Sequence, residues 1–375
     1  MTGFAPTPIL RVLVVCRGST RDGLGHVMRS RTVARRLALR SCVRMVVVGD
    51  SYVESLLGGR DLNYEVHADE RQILAACERF QPQVVVLDML SLSPAVLAAV
   101  RERAMVVSLS PVFDGLAAMD LIFHRTVHHG ADWQFEPAAQ PELRCGLPYA
   151  VVRENCVRIP EDVYRRTLEQ DPLSIVISMG GTDAGNKTLK ALEAIAHVRS
   201  RLLIWALLGE GYAHSYQPLV DCVQQNQRHE IILAKTSDSM WRVMQSCALA
   251  VLAGGTITYE AAYAGLPSIN VFEDQSHLYL VRELVEKGIG ISAGYPLPDA
   301  FDVAAANIAH LDQSRDELLA MHRNSHCAID GQGCSRIADE LIQYYWSEFR
   351  SRHPARQPHS LAATGGPQHA ALRAA

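Results

Sequence analysis

Short apolar runs rich in β-branched residues alternate with helix-like stretches along most of the chain. In the first half the runs are residues 9–15, 43–48, 84–87 and 105–108, with a further short one at 121–123. In the second half they are residues 174–177, 202–207, 230–233, 249–252 and 268–271. The runs are continuously apolar, as expected of parallel strands that helices cover on both faces. The pattern therefore predicts an α/β protein with two parallel sheets built from βαβ units.

The chain has 375 residues, which is too long for one ordinary domain and fits two. We predict an N-terminal Rossmann-like domain at residues 1–150, a connection at 151–170, and a C-terminal Rossmann-like domain with closing helices at 171–349. Residues 350–375 are rich in Pro, His, Ala and Gly without periodicity, which predicts a disordered tail. Two open α/β domains side by side leave a cleft at the carboxyl ends of their strands, where such sheets bind ligands.

The composition excludes several classes of protein. A net charge of −4 gives no global electrostatic reason to bind nucleic acid or a membrane surface. No apolar stretch approaches the ~18 residues of a membrane span, and no signal-peptide pattern opens the chain. The nine cysteines are scattered without a CxxC pair, so neither a disulfide framework nor a zinc site is indicated. We therefore expect a cytoplasmic protein with no nucleic-acid partner and no integral membrane segment.

Three glycine-rich turns each follow a predicted strand and precede a helix: residues 23–26, 179–186 and 253–256. Glycine lets a ligand approach the backbone closely, and a helix N-terminus offers free N–H groups and a positive dipole end to an anion. A lone turn of this kind is usually an ordinary tight turn, but two Gly-Gly-Thr turns in one half favour binding of a nucleotide diphosphate. The candidate contacts are Gly25, Gly180, Gly181, Thr182, Asp183, Gly254, Gly255 and Thr256.

Three further side chains stand close to these turns. His26 opens the first predicted helix, where the dipole favours the neutral imidazole that suits a general base. The alternative is that His26 only donates a hydrogen bond within its turn. Glu260 follows Thr256 by four residues, and its carboxylate either accepts hydrogen bonds from ribose hydroxyls or only interacts with the helix dipole. Gln275 follows a predicted strand and is uninformative by itself.

The segment 23–29, Gly-Leu-Gly-His-Val-Met-Arg, resembles the GxGHxxR motif of a family of sugar-nucleotide enzymes. The family comprises the UDP-2,4-diacetamido-2,4,6-trideoxy-β-L-altropyranose hydrolases of pseudaminic acid biosynthesis and spore-coat polysaccharide glycosyltransferases. The resemblance continues through residues 144–153, 178–183, 253–260 and 265–267 to Gln275, so that it covers residues 9–295. The C-terminal half is similar, more distantly, to the GlcNAc transferase that makes peptidoglycan lipid II.

This resemblance implies a GT-B fold, in which two Rossmann-like domains face a central cleft and the C-terminal one holds most of the nucleotide. It implies that His26 acts at the anomeric carbon of a UDP-sugar. It implies that the Gly-Gly-Thr turns, Glu260 and Gln275 contact the nucleotide, with no metal and no cofactor. The weaker candidates for sugar contacts are Arg17, Arg29, Tyr149 and Arg153.

Two departures from the family lie on the side that would face the sugar. The hydrolases usually carry an aspartate nine residues before the histidine, where this chain has Arg17. They also tend to carry Asp-Asp after the fifth strand, where residues 108–114 here read Ser-Leu-Ser-Pro-Val-Phe-Asp. The departures bear on the identity of the sugar more than on the class of reaction.

The leading interpretation is a hydrolase that releases UDP from a UDP-activated amino or deoxy sugar, in surface-polysaccharide or nonulosonic acid biosynthesis. His26 would deprotonate the attacking water. The first alternative is an inverting, metal-independent GT-B glycosyltransferase, in which His26 activates a hydroxyl of a glycan or lipid-linked acceptor. The second is a non-catalytic sensor of sugar nucleotides.

Overall fold

The computed structural model describes residues 9–20, 23–57, 62–109, 113–130, 141–236 and 240–356. The strands of the N-terminal sheet are β1 (Leu10–Gly18), β2 (Ser41–Gly49), β3 (Tyr64–His67), β4 (Val84–Asp88), β5 (Met105–Ser108), β6 (Leu121–His124) and β7 (Glu142–Cys145). They are parallel and lie in the order β3-β2-β1-β4-β5-β6-β7. The helices of this half are α1 (Gly25–Ala38), α2 (Ser51–Leu56), α3 (Gln72–Phe80) and α4 (Pro94–Arg101).

The C-terminal sheet repeats this plan. Its strands are β8 (Leu173–Ser178), β9 (Leu202–Gly209), β10 (Glu230–Thr236), β11 (Leu249–Leu252), β12 (Ser268–Val271) and β13 (Gly290–Gly294). They are parallel in the order β10-β9-β8-β11-β12-β13. The helices here are α5 (Glu161–Leu168), α6 (Lys187–Ile195), α7 (Gln217–Gln225), α8 (Met240–Met244), α9 (Thr256–Ala264), α10 (Tyr279–Glu286), α11 (Leu297–Gln313) and α12 (Arg315–Ser325).

The predicted α/β fold class with two Rossmann-like domains is confirmed. The apolar pattern of β1 shows why: Val12 and Val14 face one core together with Leu37 of α1, whereas Leu13 and Val15 face the other core. A strand buried on both faces cannot alternate apolar with polar residues. The sequence therefore reads as an uninterrupted apolar run.

Three strands were missed by the sequence analysis, namely β3, β7 and β13. All three lie at an edge of their sheet. Every residue of β3 and β7 is only partly buried, and β13 begins and ends with glycine. An edge strand has fewer buried positions, so its sequence lacks the apolar run by which the central strands were recognised.

The predicted connection at 151–170 is not a separate unit. Its second half forms α5, whose Tyr164 is fully buried in the core of the C-terminal sheet. The Tyr164 hydroxyl donates a hydrogen bond of 2.7 Å to the backbone oxygen of Ala248. The C-terminal domain therefore includes this helix.

The last long helix, α13 (Gly333–Tyr344), corrects the predicted end of the C-terminal domain at residue 349. Its apolar stripe of Ile337 and Leu341, continued by Tyr345 and Phe349, packs in the core of the N-terminal sheet with Val12 and Val14 of β1. Spacings of four residues place these side chains on one face of a helix. The chain therefore returns to the first domain before it ends.

The prediction of disorder from residue 350 is wrong for residues 350–356, and residues 357–375 lie outside the described ranges. A short helix, α14 (Arg350–Arg352), leads to Arg356, whose guanidinium nitrogens lie 2.8 and 2.7 Å from the two carboxylate oxygens of the buried Asp120. Composition could not reveal this pair, because it joins positions 236 residues apart. Within the described part of the chain, no helix has the length and apolarity to cross a membrane.

Candidate functional site

A cavity of about 520 Å³ lies between the two sheets, at the carboxyl ends of their central strands. From the N-terminal half its wall contains Gly23, Leu24, Gly25, Met28, Arg29, Arg31 and Thr32. From the connection and the C-terminal half it contains, among others, Arg153, Gly180, Gly181, Thr182, Asp183, Lys187, Glu210, Gly255, Thr256, Glu260 and Glu273. Most of the residues predicted from the glycine turns therefore meet in one cavity.

The three glycine turns approach each other closely. A side-chain carbon built on Gly25 would lie 3.8 Å from Oγ1 of Thr256, and one on Gly23 would lie 3.8 Å from Oγ1 of Thr182. A side-chain carbon on Gly181 would come within 2.8 Å of Leu24. The absence of side chains at these positions allows the two domains to meet across the cleft.

Two of the helix N-termini at these turns have no side-chain cap, and the third has one. The starts of α1 and α9 carry no side-chain hydrogen bond, and a side-chain carbon on Gly255 would meet no atom within 4 Å. At α6, however, the Asp183 carboxylate accepts hydrogen bonds from the backbone N–H groups of Lys187 (2.7 Å) and Thr188 (3.0 Å). Two N–H groups of α6, those of Lys187 and Thr188, are therefore already bonded to a carboxylate. The starts of α1 and α9 have no such side-chain cap and suit an anion better.

His26 belongs to a buried polar network at the side of the cavity. Its Nδ1 lies 2.7 Å from Oδ1 of Asp88, the last residue of β4. Asp88 also accepts hydrogen bonds from Arg29, through Nε at 2.9 Å and through a second guanidinium nitrogen, and from the Ser30 hydroxyl at 3.0 Å. The imidazole itself is not part of the cavity wall, although Gly25 and Arg29, which flank His26 in the sequence, both line the cavity. The side chain of His26 is 22% exposed.

Asp88 is fully buried and ionised. Burial alone would raise the pKa of its carboxyl, but the Arg29 guanidinium and the His26 imidazole outweigh burial and hold the pKa far below its usual value. Nδ1 of His26 also lies 3.1 Å from NH2 of Arg29, but its contact with Asp88 is the shorter one. A carboxylate that accepts from Nδ1 fixes the imidazole in the tautomer with its lone pair on Nε2. The network can therefore present a base at a defined atom.

Asp88 is a site residue that was not predicted from the sequence. A local signal was present, because an aspartate ends a strand whose other residues, Val84–Leu87, are all apolar and buried. A carboxylate in that position costs free energy unless a partner compensates its burial. What the sequence could not show is that β4 lies directly beside β1, which brings Asp88 to the start of α1.

Glu260 is placed on α9 and is buried, as part of a two-pronged ion pair with Arg153. Nε of Arg153 lies 2.7 Å from Oε1 of Glu260, and NH2 lies 2.6 Å from Oε2. Both residues line the cavity. Arg153 therefore stands on the wall that the C-terminal helix α9 forms, and its predicted contact with the sugar stays a prediction.

Comparisons with known proteins fit this architecture. No model of a protein family matches the chain. The chain is 21% identical over 354 residues to the spore coat polysaccharide biosynthesis protein SpsG of Bacillus subtilis, covering 91% of this chain and 100% of SpsG. It is 19% identical over 340 residues to an uncharacterized protein of Methanocaldococcus jannaschii, covering 88% of this chain and 68% of that protein.

Among solved structures, the chain is similar to HepE of Anabaena in complex with UDP and glucose, with a TM-score of 0.61 and 12% identity over 89% of this chain and 100% of HepE. It is also similar to MurG of Acinetobacter baumannii, with a TM-score of 0.59 and 13% identity over 89% of this chain and 99% of MurG. The fold is GT-B.

Within this GT-B fold, four of the predicted site residues besides His26 do not line the cleft cavity. Arg17 pairs with Glu70, Tyr149 donates to Glu340, and Gln275 accepts a hydrogen bond from Tyr295. Gly254 has a φ of 66°, which favours glycine, and a side-chain carbon at this position would clash with the ring of Phe272. The altered stretch at 108–114 lies partly outside the described ranges, which omit residues 110–112.

Proposed function

We propose that the chain is an enzyme that binds a UDP-sugar in this cleft and breaks the bond between the anomeric carbon and the diphosphate. The observation that carries the proposal is the position of the His26–Asp88 pair beside the uncapped starts of α1 and α9. That arrangement combines a base with a site for an anionic leaving group. The UDP and glucose in HepE and the polysaccharide role in the name of SpsG support the choice of ligand and of pathway class.

The diphosphate is assigned to the starts of α1 and α9. The N–H groups at these two helix starts can donate to an anion, and Gly255 leaves the backbone open to contact. Lys187, whose amine lies 2.7 Å from Glu273, lines the same cavity and adds a cation. Helix dipoles and N–H groups then stabilise the charge that develops on the diphosphate, without a step that requires a metal.

The chemistry at the sugar follows from the tautomer of His26. With Nδ1–H donated to Asp88, Nε2 accepts a proton from a water molecule as the water oxygen attacks the anomeric carbon. The bond from that carbon to the β-phosphate oxygen breaks, and its electron pair leaves with UDP. The products are the free sugar with inverted configuration and UDP, which makes the enzyme a UDP-sugar hydrolase acting on an amino or deoxy sugar.

A glycosyltransferase is the second candidate. The cavity continues along α1 beyond Met28 to Arg31 and Thr32, which leaves space beside the sugar for part of an acceptor. A glycan or lipid-linked acceptor that carries phosphate would meet the basic side chain of Arg31 there. In that case Nε2 of His26 takes the proton from an acceptor hydroxyl, and the other steps are unchanged.

A panel of UDP-sugars separates these functions. We expect purified protein to release UDP from at least one UDP-amino or UDP-deoxy sugar in buffer alone, with inversion at the anomeric carbon in the proton NMR spectrum. Release only after a lipid-linked or glycan acceptor is added would establish the transferase. Calorimetric binding of UDP-sugars without any release under either condition would overturn both and leave a sensor.

Gly255→Leu should block the nucleotide without harming the fold. Gly255 has a φ of −86°, which any residue adopts, and a side chain there extends into the open cavity at the start of α9. We expect the Kd for UDP to rise about 100-fold, equivalent to about 2.7 kcal/mol, with an unchanged thermal midpoint. Gly255→Ala should give a smaller rise. If Gly255→Leu binds UDP as tightly as the wild type, the diphosphate does not bind at the start of α9.

A further inference from the structure

Arg125 directly follows β6 and carries a charge that the protein does not neutralise. Its guanidinium carbon lies 5.1 Å from the ring centre of Tyr259 in α9, and its Nε is buried without a hydrogen-bond partner. Among the described residues it forms no ion pair, in contrast to Arg29 and Arg153 nearby. A cation taken out of water without a counterion costs free energy, so a ligand that supplies negative charge would be favoured here.

Three of the polar groups near Arg125, those of Tyr259, His124 and Asp88, do not neutralise its charge. Burial raises the pKa of Tyr259 to about 12, and its hydroxyl donates to the backbone oxygen of Leu280. Burial, and after it the charge of Arg125, lowers the pKa of His124 to about 2, so that this imidazole is neutral. Asp88 is already bonded by Arg29, His26 and Ser30. Arg29 has the same sign as Arg125, and their mutual repulsion adds to burial in lowering the pKa of Arg125.

The position of Arg125 between two elements of the site indicates which anion it meets. On one side is α9, whose first turn contains Tyr259 and whose start is assigned to the diphosphate. The charges of Arg29 and Asp88, the partners of His26, also act on Arg125. The bond that breaks joins the carbon beside His26 to the phosphate beside α9. Neither Arg125 nor Tyr259 lines the cavity, so the guanidinium reaches the leaving oxygen by turning from the Tyr259 ring toward the cleft.

We propose that Arg125 is a catalytic residue that donates hydrogen bonds to the β-phosphate of the bound UDP-sugar. As the bond breaks, the electron pair moves onto the β-phosphate oxygen, and the guanidinium stabilises this charge while it keeps its own protons. The inference rests on the proposed function and assigns the leaving group to a residue of the N-terminal domain. UDP has the same β-phosphate, whereas UMP lacks it.

The test compares Arg125→Gln and Arg125→Ala with the wild type. We expect kcat for UDP release to fall by about 100-fold or more, the usual effect of removing one such donor. The Kd for UDP should rise about tenfold and the Kd for UMP should not change, because only UDP reaches Arg125. Guanidinium ion added at millimolar concentration should restore part of the turnover of Arg125→Ala, and Arg125→Lys should retain more activity than Arg125→Gln.

Arg158→Gln is the matched control. Arg158 also lies over a tyrosine of α9, 4.7 Å from the ring centre of Tyr263, but its guanidinium already donates to the backbone oxygens of His326 and Ile329. This variant should lower the thermal midpoint and leave kcat and both affinities unchanged.

Three results would overturn the inference. If the wild type binds and turns over UDP-sugars and Arg125→Gln has a kcat within threefold of it, Arg125 has no catalytic role. The proposed function would then still hold. An unchanged UDP affinity with loss of activity only on UDP-uronates would move Arg125 to a sugar carboxylate. A wild type that binds no UDP would overturn this inference and the proposed function together.

Discussion

Replacement of His26 by glutamine is expected to lower turnover of the UDP-sugar by about 10³-fold and to leave the affinity for UDP within a factor of about two. Glutamine keeps a donor that can reach Asp88, so the buried network stays satisfied while the base is lost. The nucleotide contacts are assigned to the starts of α1 and α9 and to the C-terminal wall, and none of them requires the imidazole. Steady-state UDP release and calorimetric titration with UDP measure the two quantities separately.

His128→Gln is the control for this substitution. Nε2 of His128 lies 2.7 Å from a carboxylate oxygen of Glu286, so it also forms a histidine–carboxylate pair, but one whose carboxylate is 49% exposed, whereas Asp88 is fully buried. Its turnover should match that of the wild type. If His26→Gln loses UDP binding in parallel with turnover, the separation of base and nucleotide site between the two sides of the cleft is wrong.

The parts of this fold that could be predicted are those with local signals. Central strands such as β1 and β4 are buried on both faces, and their sequences are therefore apolar throughout. The glycine turns and His26 are short motifs in which the chemistry and the backbone requirement occupy neighbouring positions. These segments gave the fold class and the central part of the cavity wall.

The parts that could not be predicted depend on residues far apart in the chain. His26 and Asp88 are 62 residues apart, and Arg153 and Glu260 are 107 apart. Each pair forms because strand order, which local sequence does not encode, brings two loop ends together. The return of α13 to the first domain has the same origin, since its apolar stripe would fit either core by pattern alone.

Two predicted contacts show the limit of transferring residues by resemblance. Tyr149 lies within a segment that matches the family, yet its hydroxyl donates to both carboxylate oxygens of Glu340 on α13. Arg17 takes the position of a family aspartate, yet it pairs with Glu70. Glu340 and Glu70 both lie far from the motif in the sequence, yet they determine where the side chains of Tyr149 and Arg17 point.

Asp88→Asn should combine a large loss of turnover with a large loss of stability. The amide can donate to Nδ1 of His26, which would move the imidazole proton to Nε2 and remove the lone pair that acts as base. We expect kcat to fall by about 10³-fold or more, as for the equivalent change in a serine–histidine–aspartate triad. Arg29 would at the same time lose the carboxylate partner of its buried guanidinium, at a cost of about 3–5 kcal/mol in the free energy of unfolding.

Asp120→Asn separates these two effects. Asp120 is also buried and also paired with an arginine, Arg356, but it lies at the opposite end of β6 from the cleft. This variant should lose stability in denaturant titrations while its kcat stays at the wild-type value. The two variants therefore differ in turnover and not in the kind of ion pair they break. A stable, fully active Asp88→Asn protein would contradict the assignment of Asp88 as the residue that orients His26, because the tautomer could then not depend on its charge.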